Sequence, residues 1–260
     1  MDFKNKTALI TGASSGIGAE FARQLAAKGV NLILVARRLD RLNELSSALT
    51  KKHGVKVAVV DLDLSAESSV SNLEIKVKEL GMDVDLLINN AGFATSGGFE
   101  TEDLSKALNE IDVNVKALVA LTHTFIPGML NRKNGAVINV ASTAAFQPVP
   151  TMAVYGATKS FVLSFSEALW AEFEDRGLRI LALCPGATET EFFDIAGSKG
   201  TGSKRETPEQ VVRVAIAELT AKKMKPSVVS GSRNKVLSIM PRIVSRALMS
   251  KLSKKAMTRS

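Results

Sequence analysis

Tyr155 and Lys159 are the two side chains in this sequence whose types and spacing best support proton chemistry. They stand four residues apart, so a helix would place both side chains on one face. A phenol with a pKa of about 10 is a poor base at neutral pH, and an adjacent ammonium group lowers that pKa by favouring phenolate. Such a pair also arises by chance on solvated helices, so the presence of Ser142 at the end of an apolar run matters. We predict that Tyr155 gives or takes a proton.

A glycine-rich turn, TGASSGIG at residues 11–18, follows the first apolar run of the chain and precedes a helical pattern. Gly12, Gly16 and Gly18 permit a tight turn, a close approach of the backbone to a pyrophosphate, and close helix packing. The N-terminus of the following helix would face the anion. Glycines also join strands to helices for steric reasons alone, but the position after the first strand favours a dinucleotide site.

The elements that must position these residues alternate between short apolar runs and longer helical patterns, which is typical of βαβ units and a parallel sheet. Buried strands of such a sheet are continuously apolar. The sequence predicts seven of them, at residues 8–10, 32–35, 56–60, 86–88, 137–140, 180–183 and 227–229. It predicts helices at 17–28, 38–52, 66–80, 104–130, 152–176 and 208–222.

Length and composition indicate one ordinary globular domain. The 260 residues are 45% hydrophobic and 23% charged, which excludes disorder and fibrous architectures. No run approaches the roughly 18 apolar residues that cross a bilayer. We see no secretion signal, and the single cysteine, Cys184, reads as a small core residue, so we expect a cytoplasmic protein.

Further motifs follow the glycine turn in a fixed order. NNAG stands at residues 89–92, Asn114 lies within a helix, and Ser142 follows the fifth strand. YGATK spans 155–159 and PGATET spans 185–190. Together with TGxxxGxG these motifs resemble the short-chain dehydrogenase/reductase family over about residues 5–230. The resemblance implies an α/β fold with a single-domain, Rossmann-type, doubly wound parallel sheet of about seven strands, flanked by helices.

The resemblance also implies hydride transfer between a nicotinamide and a carbonyl or secondary alcohol. Ser142 would hydrogen-bond the substrate oxygen, and Tyr155 would exchange the proton. Lys159 would also hold the nicotinamide ribose. The backbone of Asn114 would help to position a water molecule against the lysine; the alternative for Asn114 is an ordinary buried polar group, although asparagine is a mediocre interior helix residue.

The cofactor contacts implied by the resemblance extend along the ends of several strands. Asp63 would lie near the adenine edge, although it could instead cap the helix that begins near Ala66. The full set comprises Gly12, Ser14, Ser15, Gly16, Ile17, Gly18, Arg37, Arg38, Asp63, Asn89, Ala91, Gly92, Tyr155, Lys159, Pro185, Gly186, Thr188 and Thr190.

The end of the second strand indicates which dinucleotide binds. An acidic residue there would bond the adenosine 2′-hydroxyl, and a basic residue would accept a 2′-phosphate. The sequence places Ala36 at the acidic position and follows it with Arg37 and Arg38, whose guanidinium groups can each hold a phosphate through two hydrogen bonds. The two arginines could merely begin a solvated helix, but the missing acid favours NADP(H).

A hydrophobic substrate pocket is expected beside the catalytic residues. Residues 197–206 interrupt the regular pattern, and we predict a lid at about 191–207; a surface loop without function is the alternative. An apolar lining favours a hydrophobic ketone, aldehyde or secondary alcohol, although loop residues also pack on each other. The expected lining residues are Phe93, Ala94, Thr143, Phe146, Val149, Pro150, Met152 and Phe193.

The net charge of +8 is concentrated near the C-terminus. No acidic residue follows Glu218, and the segment after it carries +11. We therefore divide the chain into a catalytic domain, residues 1–232, and a basic amphipathic tail, residues 233–260, predicted to form a helix. We favour a tail packed on the domain; contact with an anionic membrane is the alternative. Nucleic-acid binding is disfavoured because the tail has no aromatic residue for stacking.

The residue pattern of the predicted helix at 152–176 indicates that copies of the chain associate. One side carries Tyr155, Val162, Leu169 and Phe173, and the opposite side is small or apolar as well. A helix that is apolar all round is buried all round, so we expect this helix and the one at 104–130 to form the interface of a homodimer or tetramer. The residues of the opposite side are Ala157, Phe161, Ser164, Ala168 and Ala171.

Two other functions remain open beside the small-molecule reductase. An epimerase or dehydratase of the same family keeps the tyrosine and lysine but usually needs a longer substrate domain. A cofactor-sensing protein without turnover is disfavoured by the intact Ser142, Tyr155 and Lys159. His53 and His123 have no metal-ligand spacing, so no metal is implied.

Overall fold

Seven parallel strands form one sheet in the computed structural model of the chain, which describes residues 3–196 and 205–257. The strand order is β3-β2-β1-β4-β5-β6-β7, so β1 lies between β2 and β4 at the point where the chain reverses direction across the sheet. The prediction of a doubly wound sheet of about seven strands is confirmed. The strands are β1 Thr7–Thr11, β2 Asn31–Ala36, β3 Val57–Asp61, β4 Leu86–Asn89, β5 Gly135–Val140, β6 Leu178–Cys184 and β7 Ser227–Val229.

Helices cover both faces of the sheet. They are α1 Gly16–Ala26, α2 Leu39–His53, α3 Ser69–Glu79, α4 Leu104–Ile111, α5 Leu118–Asn131, α6 Ala153–Phe173, α7 Phe192–Ile195, α8 Pro208–Thr220, α9 Ser232–Ile243 and α10 Arg246–Met257. Short 3₁₀ turns stand at Phe99–Thr101 and Thr143–Phe146.

The apolar strands are buried on both faces because their alternate side chains enter two different core layers. Leu32 and Leu34 of β2 pack with Phe21 of α1, whereas Ile33 of the same strand packs with Leu121 and Met129 of α5. All six of these side chains are at most 1% exposed. This two-sided burial explains why the sequence shows continuous apolar runs instead of an alternating pattern.

The predicted helix at 104–130 is one continuous helical segment with a π-helical interruption, Asp112–Ala117, between α4 and α5. By length and composition it is the one helix among the described residues that could cross a membrane. Its Leu118, Leu121, Ile126 and Met129 are buried against the sheet, as in the core helix of a globular domain. The interruption places Asn114 beside α6, where its amide donates to Thr158 Oγ1.

The basic tail forms two helices, α9 and α10, where the sequence pattern predicted a single one. Helix α9 packs against the 143–146 turn and β7. The Asn234 amide donates to Glu206 Oε2 (3.0 Å) and to the Ser230 carbonyl (3.0 Å), so the start of α9 is tied to the domain. The break at Val244 follows Pro241, whose missing N–H weakens the end of α9.

The predicted lid lies partly outside the described residues, which leave out 197–204. Its first part forms α7, and its last part is anchored to the strand-like segment before it: Glu189 N donates to the Glu206 carbonyl (2.9 Å), and Glu206 N donates to the Ala187 carbonyl (2.9 Å). Glu206 therefore forms a parallel β-bridge with Thr188.

The helix face predicted to form a subunit interface is solvent-exposed in the single chain. Phe161 is 41% exposed and stacks on Phe165 with ring centroids 5.7 Å apart. Leu104 and Leu108 of α4 are also exposed. Oligomerisation through this face stays a prediction.

Candidate active site

The carboxyl ends of the strands surround one large cleft of about 1730 Å³. It runs past the glycine turn after β1, the ends of β2, β4, β5 and β6, and the first turns of α6. Ligands of open α/β sheets bind in this position, outside the carboxyl ends of the strands where the strand order reverses. The cleft also continues under α9 and α10, whose Leu237, Met249 and Leu252 are among its lining residues.

The glycine turn is held against the end of β4 by Thr11 and Asn90. The Thr11 hydroxyl oxygen accepts from the backbone N–H groups of Asn90 and Ala91, each at 3.0 Å. The Asn90 amide donates to the Thr11 carbonyl at 2.9 Å and to the Gly12 carbonyl at 3.3 Å. Gly12 has a φ of +65°, which L side chains rarely adopt, and a Cβ there would lie 2.8 Å from Asn90 Nδ2. This position requires glycine for two independent reasons.

The start of α1 packs so closely on its surroundings that Gly16 and Gly18 leave no room for a larger side chain. A Cβ on Gly18 would lie 2.3 Å from the Gly12 carbonyl oxygen, and a Cβ on Gly16 would lie 2.9 Å from Thr190 Cγ2. The N-cap hydroxyl of Ser15 does not cap α1. The turn therefore presents backbone and a helix N-terminus to the cleft, which fits a pyrophosphate group.

Arg38 connects the end of β2 to the glycine turn. Its Nη2 lies 3.0 Å from Ser14 Oγ and 2.6 Å from Ser15 Oγ, and its Nη1 donates to Glu191 Oε2 at 2.7 Å. Arg41 Nη1 donates to the other carboxylate oxygen of Glu191 at 2.6 Å. The hydrogen bonds from both arginines lower the pKa of Glu191 to about 2, so this carboxylate is charged at any physiological pH.

Arg37 takes a different direction from Arg38. It is largely exposed and lies 3.7 Å from Asp63 Oδ2. Asp63 Oδ1 also accepts from the backbone N–H (3.0 Å) and the hydroxyl (2.8 Å) of Ser65. Partial burial raises the pKa of Asp63, but the Ser65 hydrogen bonds and Arg37 outweigh it and leave the pKa below its usual value. Asp63 thus lines the cleft, as predicted, and its hydrogen bonds to Ser65 close the turn after β3. It does not cap the next helix, because α3 begins at Ser69 with Ser68 at its N-cap.

Three of the four predicted catalytic residues, Ser142, Tyr155 and Lys159, meet in this cleft. Tyr155 is 8% exposed, its hydroxyl hydrogen-bonds with Ser142, and its ring lies 5.3 Å from that of Phe192. Lys159 Nζ donates to the Val140 carbonyl at 2.8 Å and lies 5.8 Å from the centroid of the Tyr155 ring. The arrangement follows from strand ends and helix pitch: Ser142 ends β5, and α6 presents residues 155 and 159 on the side that faces it.

Burial determines the proton affinities of this cluster. It raises the pKa of Tyr155 to about 12, with the Ser142 hydrogen bond opposing the rise and Glu110 adding to it. It lowers the pKa of Lys159 to about 8, with Glu110 and Cys184 opposing the fall. The expectation that the lysine lowers the phenol pKa is wrong for this geometry, because desolvation of a buried phenolate outweighs the attraction of an ammonium near the ring. Tyr155 is therefore poised as a proton donor.

Asn114 joins the loop after β4 to the catalytic helix through its side chain. Its Oδ1 accepts from Phe93 N (3.2 Å), and its Nδ2 donates to the Phe93 carbonyl (3.0 Å) and to Thr158 Oγ1 (3.2 Å). It lies in the π-helical interruption, where the regular pattern of backbone hydrogen bonds is shifted. Glycine is required opposite it, because a Cβ on Gly92 would lie 2.7 Å from Asn114 Oδ1 and 3.5 Å from Lys159 Nζ.

Two acidic side chains near the site share a single hydroxyl. Glu110 is fully buried, and its Oε2 accepts from Thr95 N at 2.7 Å and contacts Thr95 Oγ1 at 2.8 Å. The same hydroxyl also contacts Glu102, which lines the cleft. Burial raises the pKa of Glu110. The buried carboxyl of Glu110 therefore binds a proton more readily than an exposed glutamate does.

Most of the residues predicted for the site do line the cleft. For the cofactor these are Gly12, Ser14, Ser15, Gly16, Ile17, Arg37, Arg38, Asp63, Ala91, Gly92, Pro185, Gly186, Thr188 and Thr190. For catalysis and substrate they are Ser142, Tyr155, Lys159, Phe93, Ala94, Thr143, Phe146, Val149 and Met152. Gly18 and Asn114 lie behind the lining and support it.

The prediction that the Asn89 side chain contacts the cofactor is wrong. Its amide nitrogen donates to Thr122 Oγ1 (3.0 Å) and Asn139 Oδ1 (2.9 Å) in the interior, and the side chain is 3% exposed. Successive strand side chains point to opposite faces, so its neighbour Asn90 lines the cleft instead. Pro150 is absent from the described lining, and the side chain of Phe193 lies outside what the structure describes.

Several residues of the site were not predicted from the sequence. Arg41 and Glu191 are far apart in the chain, and no local pattern pairs them. Phe192 was overlooked beside Phe193, although both follow the PGATET motif. Glu110 carried one usable signal, since an acid on the core side of an amphipathic helix is rarely buried without a function or a partner.

A glycine turn that excludes side chains, a strand-order reversal, and a Ser–Tyr–Lys cluster in one cleft define a dinucleotide-dependent oxidoreductase of the Rossmann type. The model of the short chain dehydrogenase family matches residues 6–199, and the chain belongs to this family. Members of the family use a nicotinamide cofactor and act on small molecules.

Three known proteins show the extent of the similarity. A very-long-chain 3-oxoacyl-CoA reductase of Pyrenophora tritici-repentis is 36% identical over 218 residues, which cover 82% of this chain and 62% of that one. A short-chain dehydrogenase from Sphingobium yanoikuyae in complex with NADPH is 34% identical, with a TM-score of 0.82, over 94% of this chain and 95% of that one. A 7beta-hydroxysteroid dehydrogenase is 26% identical, with a TM-score of 0.88, over 98% and 100% of the two chains.

Proposed function

We propose that this chain is an NADP(H)-dependent reductase of hydrophobic ketones. The observation that carries the proposal is the meeting of Ser142, Tyr155 and Lys159 in one cleft with the glycine turn. The family supplies the reaction class, and the geometry of this chain suggests the cofactor, the direction and the kind of substrate.

The arginine next to the glycine turn supports NADP(H). Ala36 leaves the end of β2 without an acid, and Arg38 lies within hydrogen-bond distance of Ser14 and Ser15 at the same end of the cleft. A 2′-phosphate bound there would meet a guanidinium and two hydroxyl groups, a favourable donor set for a phosphate. The charged Glu191 carboxylate also contacts this guanidinium, and the phosphate would leave it to Arg41. The similar dehydrogenase from Sphingobium yanoikuyae was solved with NADPH, which agrees with this choice.

The proton chemistry supports reduction. Tyr155, with a pKa of about 12, is a phenol at neutral pH and would donate its proton to the carbonyl oxygen, while Ser142 hydrogen-bonds the same oxygen. NADPH, when bound, supplies the hydride that is added to the carbonyl carbon. The ammonium group of Lys159 would stabilise the negative charge that Tyr155 acquires. In the reverse reaction the same residues would take a proton from an alcohol.

The cleft walls beside Tyr155 support a hydrophobic substrate. Phe146, Val149, Met152 and Phe192 surround the reacting position, and the cleft continues towards Leu237 under the tail. Related proteins whose names specify a long acyl chain, a steroid or a bulky ketone agree with a large apolar substrate. Long-chain, steroid and aryl ketones are therefore the first compounds to test.

The experiment measures NADPH oxidation by the full chain across a panel of such ketones. Ser142→Ala and Tyr155→Phe should lower kcat by about 10²-fold or more, the usual contribution of a positioned proton donor, with the Kd for NADPH within about twofold of the wild type. Ser160→Ala is the matched control, since this hydroxyl on α6 bonds to the Ala145 and Gly156 carbonyls (2.9 Å each) outside the reacting cluster.

The alternatives give different results. NADPH binding without turnover on any ketone would favour a cofactor-sensing protein. Conversion of a substrate without net NADPH oxidation would favour an epimerase or dehydratase. Full activity of Tyr155→Phe would refute the proposed proton donor.

A further inference from the structure

The two tail helices expose a surface of large aliphatic side chains beside the mouth of the cleft. On α9, Val236, Ile239 and Ile243 are 65%, 55% and 79% exposed. On α10, Leu248 and Leu252 are 50% and 44% exposed. Isolated exposed aliphatic residues are ordinary on protein surfaces, but five large ones at helical spacing on two consecutive helices indicate an interaction surface. These five residues are called the tail surface below.

The tail helices are nevertheless attached to the domain. Met249 and Ser253 of α10 are buried, and Leu237 and Met240 of α9 line the cleft. Asn234 is hydrogen-bonded to Glu206 and to the Ser230 carbonyl. Leu252 of the tail surface also lines the cleft. The tail surface therefore belongs to a packed element that reaches the mouth of the cleft, and not to a detached segment.

The charged residues of the tail helices themselves are all basic, and the nearby acid Glu206 lies at the start of α9, where Asn234 binds it. No acidic residue follows Glu218 in the sequence, and exposed basic residues flank the aliphatic ones on both helices. They are Arg233, Lys235, Arg246, Lys251, Lys254 and Lys255. Aliphatic side chains with lysine and arginine at their edges are the composition of helices that lie in the headgroup region of an anionic bilayer.

We propose that α9 and α10 dock the mouth of the cleft on the surface of an anionic lipid bilayer. A second copy of the chain is a poor occupant of this surface, because two such faces would bring only positive charges together. The proposal concerns a binding surface and is independent of the proposed reaction.

Co-sedimentation of the full chain with vesicles tests the proposal. Vesicles of phosphatidylcholine alone are compared with vesicles in which part of it is replaced by phosphatidylglycerol, at low and at high salt. We expect binding to the anionic vesicles at least about tenfold stronger than to the zwitterionic ones, and a loss of binding at high salt, because screening shortens the reach of the lysine and arginine charges.

Two pairs of variants separate the aliphatic and basic contributions. Ile239→Ser with Ile243→Ser removes aliphatic contacts without changing the charge, and Lys251→Glu with Lys255→Glu reverses two charges; each should weaken vesicle binding about tenfold or more. Ile75→Ser on α3, where this residue is 54% exposed, and Lys51→Glu with Lys52→Glu on α2 are the controls of matched chemistry. The Kd for NADPH in every variant verifies folding.

The outcomes are distinct. Vesicle binding that the tail variants lose and the control variants keep would support the proposal. A wild-type chain that stays in the supernatant with anionic vesicles would overturn it, as would equal losses in tail and control variants. A tail variant that halves the mass in light scattering, with no vesicle binding by the wild type, would assign the tail surface to a second copy instead.

Discussion

Gly18→Ala tests whether the close packing behind the glycine turn determines cofactor binding. A Cβ at this position would lie 2.3 Å from the Gly12 carbonyl oxygen and 2.5 Å from Asn90 Nδ2, roughly 1 Å inside ordinary contact. Neither atom moves freely, because Asn90 is bonded to the Thr11 carbonyl at 2.9 Å and Gly12 lies within the turn. Overpacking of this kind costs about 1–3 kcal/mol, and we expect a loss near the upper end, about 3 kcal/mol.

We expect the strain in the displaced turn to weaken NADPH binding more than it destabilises the rest of the fold. If the same strain of about 3 kcal/mol is carried in the binding-competent turn, the Kd for NADPH rises about 100-fold. Gly29→Ala is the matched control: its φ of +77° makes alanine strained by about 1–2 kcal/mol, but nothing lies within 4 Å of the added Cβ. It should lower stability and leave the Kd for NADPH unchanged.

The assay combines urea unfolding with fluorescence titration of NADPH for the wild type and both variants. The reasoning fails if Gly18→Ala binds NADPH within about twofold of the wild type, or if Gly29→Ala weakens binding as much as Gly18→Ala does.

Three further predictions address the cofactor, the catalytic amine and the assembly. Arg38→Ala should raise the Kd for NADPH about tenfold and leave that for NADH nearly unchanged, because a charge-assisted contact to phosphate is lost; equal losses for both cofactors would contradict a 2′-phosphate site. Since the pKa of Lys159 is lowered to about 8, the amine is charged below that pH and neutral above it, so kcat/KM for NADPH should fall above about pH 8. Lys159→Arg should move this fall beyond about pH 10, and an unchanged pH profile would argue against the amine. Phe161→Asp, at a 41% exposed side chain, should reduce the mass in light scattering to that of one chain, whereas a wild type of that same mass would exclude the predicted homodimer.

The local patterns of the sequence determined the fold and the centre of the site. Seven continuously apolar runs predicted seven strands because strands buried on both faces leave no polar alternation. The glycine spacing at residues 12, 16 and 18 and the four-residue spacing of Tyr155 and Lys159 are short-range features, which turn and helix geometry translate directly into positions. Helix ends were predicted to within a few residues for the same reason, and the two-helix form of the tail was missed.

Contacts between residues that are distant in the sequence, and pKa shifts that depend on burial, were decided only by the tertiary structure. The sequence could not show that Glu191 meets Arg38 and Arg41, which lie some 150 positions away and meet across the cleft. It could not choose between Asn89 and Asn90, because the face that each presents depends on where β4 ends. The direction of the Tyr155 pKa also followed from burial, since desolvation is set by every element that packs around the phenol and not by the lysine one turn away.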